Sequence, residues 1–443
     1  MSNLKLESIQ PWIPHPKAAP VTEREGDTLS IVSNGTRTCV GGWQANYSGV
    51  EANTAYRVTW DVRYENIAQV EDMLECLAYW GDIDEDSSRR TFKGVVNWYY
   101  FLPEKIGANA LRFSRVLKAA VGADRLTLRC TFRWSPEGKC VWQLPQVEAV
   151  EMPESSEPVN IAVVTGPAGS RRRRFESLQD NIDFYAPMCE TAAKNGAGLI
   201  VLPEIALQYG LRGSMLDWAV PAPGPETEEF SNIARRYETR ILLGMVEQDG
   251  DAAYNSAVLI GPDGVIDGRY RKVHFAVGGE MDSGLLPGDD FPVFDTEVGR
   301  VRCNICMDTS AAESSRLVGL NGADFLLMPI MGDFRARHPE DNSWDPERFR
   351  GIMQTRAMDN QLCMVVAVNQ CEGSCIIDRA GNVLAWNDGE HEMIQAEVAL
   401  EDGFHPSNKG CAREVTWMLR RPHLYGAFSD VENRGSMTEA VYR

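Results

Sequence analysis

The chain has 443 residues, 44% of them hydrophobic and 24% charged, with a formal net charge of −19. That length exceeds one ordinary core and points to two domains, and the acidic balance argues against holding nucleic acid by phosphate contacts or docking on anionic membranes. The opening residues lack the apolar core of a signal peptide and no window reaches the ~20 apolar residues of a membrane span, so a cytoplasmic protein is expected.

Residues 1–157 read as an all-β domain. Tyr56, Val58, Trp60, Val62 and Tyr64 alternate with Arg57, Thr59, Asp61 and Arg63. Leu126, Leu128, Cys130, Phe132 and Trp134 alternate in the same way with Thr127, Arg129, Thr131 and Arg133. Such period-two patterns describe half-buried strands. Asn34-Gly35 and Glu137-Gly138 supply turns between runs. The stretch resembles a jelly roll of the galactose-binding-like kind. Trp43, Trp60, Trp80 and Trp98 have two readings there, a sugar platform or core packing, and packing is preferred. The pattern stops at the proline- and glutamate-rich residues 151–158, which read as a linker.

Residues 158–400 alternate strands with helices, the pattern of a layered α/β domain. Val159–Val164 reads as a buried strand. Residues 176–195 have helical spacing up to Asn195-Gly196, with Pro187 expected to kink the helix or delay its start. Strands are expected at 199–202, 240–246, 256–260, 301–305, 325–328 and 364–368, and helices at 311–321 and 347–362. The run of arginines at 171–174 reads as a solvated loop. Residues 401–443 carry little regular pattern and read as an extension, with Arg413 to Arg421 packing against a second subunit.

Three polar residues fall just past expected strands, where α/β folds place their chemistry. Glu204 follows an apolar run and Pro203, and a poorly solvated carboxylate there suits a general base; a helix cap or loop acid is the plainer reading of that segment alone. Lys272, after Tyr270 and Arg271, suits stabilisation of a developing oxyanion, although a lone lysine after a strand is usually surface. Cys306 closes an apolar strand before a turn and a helix, the context that presents a nucleophile on a sharp bend. A helix N-terminus and Lys272 would then lower its thiol pKa. Cys303, inside the strand, reads as structural. The two form a lone Cys-x-x-Cys among 11 cysteines, with no second pair and no histidine spacing to complete a zinc site, so neither a metal nor another cofactor is expected.

Taken in order, these segments resemble the nitrilase, or carbon–nitrogen hydrolase, family from about residue 159 to 400. The matching blocks are Gly198 to Glu204; Ala253, Tyr254, Asn255 and Ser256 with Gly264, Tyr270 and Lys272; and Leu286, Pro287 and Gly288 with Gly299, Ile305, Cys306 and Asp308. Glu313 and Arg316, Gly322 to Asp324, Pro329, Arg356 with Asn360, and Asn369 with Gly373 and Ser374 follow at family spacing. The resemblance implies an αββα sandwich and a triad of Glu204, Lys272 and Cys306, with Glu280 as a further orienting acid whose plain reading is a loop residue. It implies a covalent mechanism: Glu204 takes the thiol proton, Cys306 attacks the carbonyl or nitrile carbon, and Lys272 and the backbone N–H of Met307 hold the oxyanion. Ammonia or an amine leaves, and water activated by Glu204 cleaves the thioester.

Family nitrilases commonly carry tryptophan after the cysteine; here Met307 and Asp308 follow, which favours an amide or N-carbamoyl substrate over a nitrile. Residues 309–312 also depart from the family's bulkier stretch. The residues from Gly332 to Trp344, with His338, are expected to border the pocket. The resemblance further implies a homo-oligomer acting on a small molecule. Two other classes stay open: an inactive binding protein working through the β domain, and an acyl transferase passing its thioester to an amine.

Overall fold

The computed structural model describes residues 4–432 except 53, 82–97, 121, 152–156, 169–174, 278, 401–403, 406–409 and 431. The arginine run at 171–174 and most of the 151–158 linker lie outside the described residues. The chain forms two compact units, Met1–Ser155 with Gly403–Arg443, and Ser156–Asp402.

The first unit holds two sheets. One runs, in spatial order, through Lys5–Trp12, Val40–Ser48, Arg125–Arg133, Leu74–Trp80, Trp98–Tyr100, Gly410–Cys411 and Phe404–His405. The other runs through Val21–Glu25, Thr28–Val32, Lys139–Gln143, Ala55–Glu65, Ala110–Lys118 and Pro103–Gly107. One core joins them, with Trp43, Trp80 and Leu128 from the first sheet and Trp60, Trp142 and Phe113 from the second. Trp43, Trp60 and Trp80 are thereby buried and offer no face to a sugar. Trp98 is half-buried, its ring 6.3 Å from that of Tyr79.

Ala55–Glu65 alternates in burial as its sequence pattern requires. Arg125–Arg133 does not: Thr127, Arg129 and Thr131 are buried as well. That strand lies between two others, and Arg129 is covered by the Trp12 ring, 4.1 Å away, while donating to Gln44 Oε1 at 2.9 Å. The C-terminal segment joins this unit through its strand beside Trp98–Tyr100 and the helix Ala412–Met418. There Glu414 accepts from the Tyr100 N–H at 2.9 Å, and Arg421 pairs with Asp72 at 3.1 Å.

The second unit is built from two six-stranded sheets. In spatial order the first is Ile266–Arg271, Ala252–Ile260, Arg240–Asp249, Leu199–Val201, Val159–Val164 and Met393–Val398. The second is Phe294–Thr296, Gly299–Cys303, Phe325–Ile330, Cys363–Val368, Cys375–Ile377 and Val383–Trp386. Central strands in each are parallel and buried on both faces, which explains their unbroken apolar runs. Along Phe325–Ile330, Phe325 and Leu327 meet the other sheet, whereas Leu326, Met328 and Ile330 meet helix Pro346–Asn360. In Val159–Val164, Ile161 and Val163 face the inter-sheet core while Ala162 and Val164 face helices Leu178–Lys194 and Pro225–Tyr237. The layers are therefore helix, sheet, sheet, helix.

Helix Leu178–Lys194 runs unbroken through Pro187, so the expected delay does not occur. A Ser177–Asp180 capping box starts it, and its apolar face of Ile182, Tyr185, Cys189 and Ala193 is buried. That burial offsets the hydrogen bond the proline removes. Helix Pro225–Tyr237 was not anticipated from the pattern. It starts with proline in its first position and buries Phe230, Ile233 and Ala234.

Candidate active site

The ends of the strands converge. Glu204 follows Leu199–Val201, Lys272 follows Ile266–Arg271, Cys306 follows Gly299–Cys303, Met331 follows Phe325–Ile330 and Asn369 follows Cys363–Val368. This is the carboxyl edge of parallel strands, where side chains leave the sheet without being consumed by packing. Two glycines allow the approach. A Cβ on Gly244 would stand 2.1 Å from the Pro203 carbonyl oxygen, and one on Gly166 would stand 1.7 Å from that of Asn369.

Lys272 is almost fully buried, and its Nζ donates to Glu204 Oε1 at 2.8 Å and to Glu280 Oε2 at 2.5 Å. Asn255 Nδ2 donates to Glu204 Oε1 at 2.8 Å and to Glu280 Oε1 at 2.7 Å. The remaining oxygen, Glu204 Oε2, accepts from the Met331 N–H at 2.9 Å, and Glu280 Oε2 accepts a second bond from the Ala276 N–H at 2.8 Å. Asn369 Nδ2 holds the Glu204 carbonyl oxygen at 2.7 Å.

Cys306 opens the 3-10 turn Cys306–Ser310 with φ +45°, a left-handed conformation that costs a non-glycine residue roughly 1–3 kcal/mol. Asp308 holds that turn in place. Its Oδ2 accepts from the Ile305 N–H at 2.7 Å and from the Tyr270 hydroxyl at 2.8 Å. Its Oδ1 accepts from the His274 N–H at 2.9 Å and lies 2.7 Å from His274 Nδ1. One fully buried carboxylate thus ties the cysteine turn to both sides of Lys272. The turn leads directly into helix Ala312–Leu320, and Met307 is its second residue.

The thiol of Cys306 lies 3.5 Å from the Gly332 carbonyl oxygen. Its pKa is raised, first by burial and then by the Glu204 carboxylate, which together outweigh the opposing pull of Lys272. This corrects the expectation of a lowered thiol pKa: Lys272 supplies a cation, but burial and the Glu204 carboxylate act more strongly against the thiolate. For Lys272, burial opposes the charge, yet Glu204, Cys306 and Glu280 outweigh it and hold its pKa above the ordinary lysine value. At neutral pH the resting site therefore contains an ammonium and an un-ionised thiol.

Glu204, Lys272, Cys306 and Glu280, picked from separate segments of sequence, are thus brought to one place. Asn255, Asp308 and Asn369 were part of the sequence pattern but had no role attached; an asparagine inside an apolar strand, and an acid two residues past the cysteine, are the available signals. Of the Gly332 to Trp344 loop, Gly332 borders the cysteine through its carbonyl oxygen. Its Asp333 and Arg335 pair at 2.5 Å, and Arg335 Nη2 reaches Thr309 Oγ1 at 3.1 Å. Trp344 instead packs on Phe349, with ring centroids 5.0 Å apart. Among the described residues, no group of three or more His, Cys, Asp or Glu side chains is arranged to hold a metal.

Residues 160–403 match the family model described as carbon-nitrogen hydrolase. The chain belongs to the carbon-nitrogen hydrolase family. This hydrolase is 28% identical over 240 residues to the human omega-amidase NIT2, a match that spans 50% of the chain and 84% of the relative. The omega-amidase NIT2 of Xenopus tropicalis matches to the same extent. A nitrilase of Pyrococcus abyssi is 38% identical over 147 residues, covering 32% of this chain and 55% of that protein. The fold resembles the carbon-nitrogen hydrolase of Helicobacter pylori G27, with TM-score 0.50 and 21% identity over 62% of this chain and 99% of that one. It also resembles the C. elegans NitFhit protein, with TM-score 0.50 and 22% identity over 61% and 67% of the two chains. Residues 1–155 of the first unit precede the family match, and the hydrolase unit holds the whole Glu204–Lys272–Cys306 cluster.

Proposed function

We propose that this hydrolase cleaves the amide bond of a small molecule through a thioester on Cys306, releasing ammonia or an amine. The observation that carries the reading is the buried Lys272 ammonium bridging Glu204 and Glu280 beside the Cys306 thiol. Because the resting thiol is un-ionised, it needs a base at the moment of attack, and Glu204 takes that proton. The sulfur–carbon bond forms as the carbonyl π bond breaks. Lys272, kept charged by its two carboxylates, and the Met307 N–H stabilise the oxyanion; a donor of this kind contributes roughly 3–4 kcal/mol. Collapse expels the amine, which takes the proton from Glu204. Water then attacks the thioester, giving its proton to Glu204, and the thiol is regenerated with the free acid. Glu280 holds Lys272 in line and does not itself touch the reacting atoms.

Amides and N-carbamoyl compounds rank above nitriles because Met307 stands where family nitrilases commonly have tryptophan, and amides rank first because several matched relatives are omega-amidases. The test is ammonia release from a panel of the three classes, with Cys306→Ala as control. Release from amides by the wild type alone, with an acyl adduct on Cys306 in intact-mass spectra, supports the reading. Absence of both overturns it in favour of a binding protein.

The first unit is read as a galactose-binding-like jelly roll, supported by its two sheets over one core. Its buried tryptophans support a structural role over a sugar site. A cytoplasmic homo-oligomer is proposed for the whole protein, and light scattering of the purified chain tests the assembly. Among the described residues, no helix is long and apolar enough to cross a membrane.

A further inference from the structure

We infer that the amide substrate carries an apolar acyl chain, held against a hydrophobic rim beside Glu204 and Lys272. This rests on the amidase reading and deepens it. A small separate core underlies the rim: Ile205, Val246, Ala253 and Leu285 are buried together, with Met215 and Phe275 packed against them. Each belongs to, or lies beside, a segment of the site. Ile205 follows Glu204, Ala253 precedes Asn255 by two residues, and Phe275 lies between Lys272 and Glu280.

Exposed apolar residues lie on the same segments. Val277, Met281, Leu286 and Leu216 are 81%, 62%, 47% and 45% exposed. Val277 and Met281 flank Glu280, whose carboxylate touches Lys272. The Leu286 N–H is fixed to the Ala253 carbonyl oxygen at 2.9 Å, and a Cβ on Gly284 would lie only 2.8 Å from Leu216 Cδ1, so the segments bearing these side chains are in contact. On the cysteine side, Phe334 stands 61% exposed two residues beyond Gly332.

Isolated exposed apolar residues need no explanation, but several large ones gathered on loops that carry the reacting groups do. Leaving them in water has a cost that an apolar ligand removes. Val277 and Met281 lie three residues before and one residue after Glu280, the acid that holds Lys272, and this attachment to the site favours the substrate chain as occupant. The polar cluster orients the amide and the rim selects its tail, the usual division of labour in a ligand site.

The test measures kcat/KM for straight-chain primary amides from acetamide to octanamide, and for chains of equal length ending in a carboxylate. The expected result is a rise of about twofold to fourfold per methylene over the first several carbons, following the free energy of burying a methylene. Terminal carboxylates abolish the gain. Met281→Ser and Phe334→Ser each reduce the hexanamide-to-acetamide ratio by about tenfold. Equal turnover of acetamide and hexanamide, or a preference for the carboxylate series, overturns the inference and leaves the amidase reading intact. If Met281→Ser changes the oligomeric state in light scattering but not the chain-length dependence, the rim is a subunit contact and the inference fails. No turnover of any amide overturns the amidase reading and this inference with it.

Discussion

Glu204 and Glu280 share two donors: Lys272 Nζ at 2.8 and 2.5 Å, and Asn255 Nδ2 at 2.8 and 2.7 Å. One ammonium and one amide thus stand between two buried carboxylates and fix both acids in place. The same arrangement holds the Lys272 pKa up, so in the proposed mechanism Lys272 is unsuited to be the base and Glu204 is left for proton transfer.

Replacing Glu280 by glutamine removes one of the charges that hold the Lys272 pKa up, and places an amide opposite the donors from Lys272, Ala276 and Asn255. We expect kcat/KM to fall about 100-fold, as a displacement of about 1 Å in a positioned group does, and the alkaline limb of the pH–rate profile to move to lower pH. The sign for stability follows from linkage. A lysine pKa raised on folding contributes stability that is full below the unfolded value of about 10.4 and is lost as pH rises through the folded value. Chemical denaturation should therefore find the variant weaker by roughly 1–3 kcal/mol throughout pH 6–9, with the gap narrowing above about pH 10. An unmoved alkaline limb would show that Glu280 does not tune Lys272.

Asp308 is fully buried and accepts from Ile305, Tyr270 and His274. In Asp308→Asn, one oxygen becomes a donor facing donors, so the Cys306 turn loses at least one of its ties. The expected cost is roughly 1–3 kcal/mol of folding stability, together with a loss of activity of about 10-fold or more at temperatures where the variant is still folded. Circular dichroism melting and single-turnover acylation measure the two separately. Full activity in the folded variant would remove Asp308 from the group of positioning residues.

The local patterns that reveal this site are short: an apolar strand followed by one polar residue. Glu204, Lys272 and Cys306 are legible for that reason. The ties between them are not, because Tyr270 and Asp308 lie 38 positions apart in sequence and meet only after the strands are in register. The raised thiol pKa was also hidden, since it depends on burial and on Glu204 rather than on the residues next to Cys306. Phe294–Thr296 and Cys375–Ile377 are only three residues long, too short for a periodicity to register. Helix Pro225–Tyr237 is a different case. Phe230, Ile233, Ala234 and Tyr237 have helical spacing after Pro225, so the signal was present and its start was missed.

The raised thiol pKa gives a direct chemical test on the resting enzyme. Alkylation by iodoacetamide proceeds through the thiolate. Against a Cys306→Ser background that subtracts the other cysteines, the rate at Cys306 should be slow at pH 7 and climb steadily through pH 9, beyond the point where an ordinary cysteine levels off. Lys272→Met removes the cation that opposes the shift, so its curve should lie further toward alkaline pH. A rate already at its plateau near pH 7 would mean that the resting site contains a thiolate and that Glu204 need not take the thiol proton.

Gly244 connects the sheet to the reaction without touching it. It lies in Arg240–Asp249, and an added Cβ would stand 2.1 Å from the Pro203 carbonyl oxygen and 2.9 Å from the Ile205 nitrogen, the two residues that bracket Glu204. Both neighbours are backbone atoms, so no side chain can rotate away, and the strand or the Glu204 segment must shift. Overpacking of this kind costs roughly 1–3 kcal/mol. A shift of about 1 Å in a reacting group lowers the rate by about 100-fold. Gly244→Ala should therefore lower the melting temperature and, below it, reduce turnover further than the unfolded fraction accounts for. Gly250→Ala is the control, because its added Cβ would meet nothing within 4 Å, although its φ of +62° brings a modest strain. If both variants lose stability and neither loses turnover per folded molecule, the spacing between this strand and Pro203 does not govern the placement of Glu204.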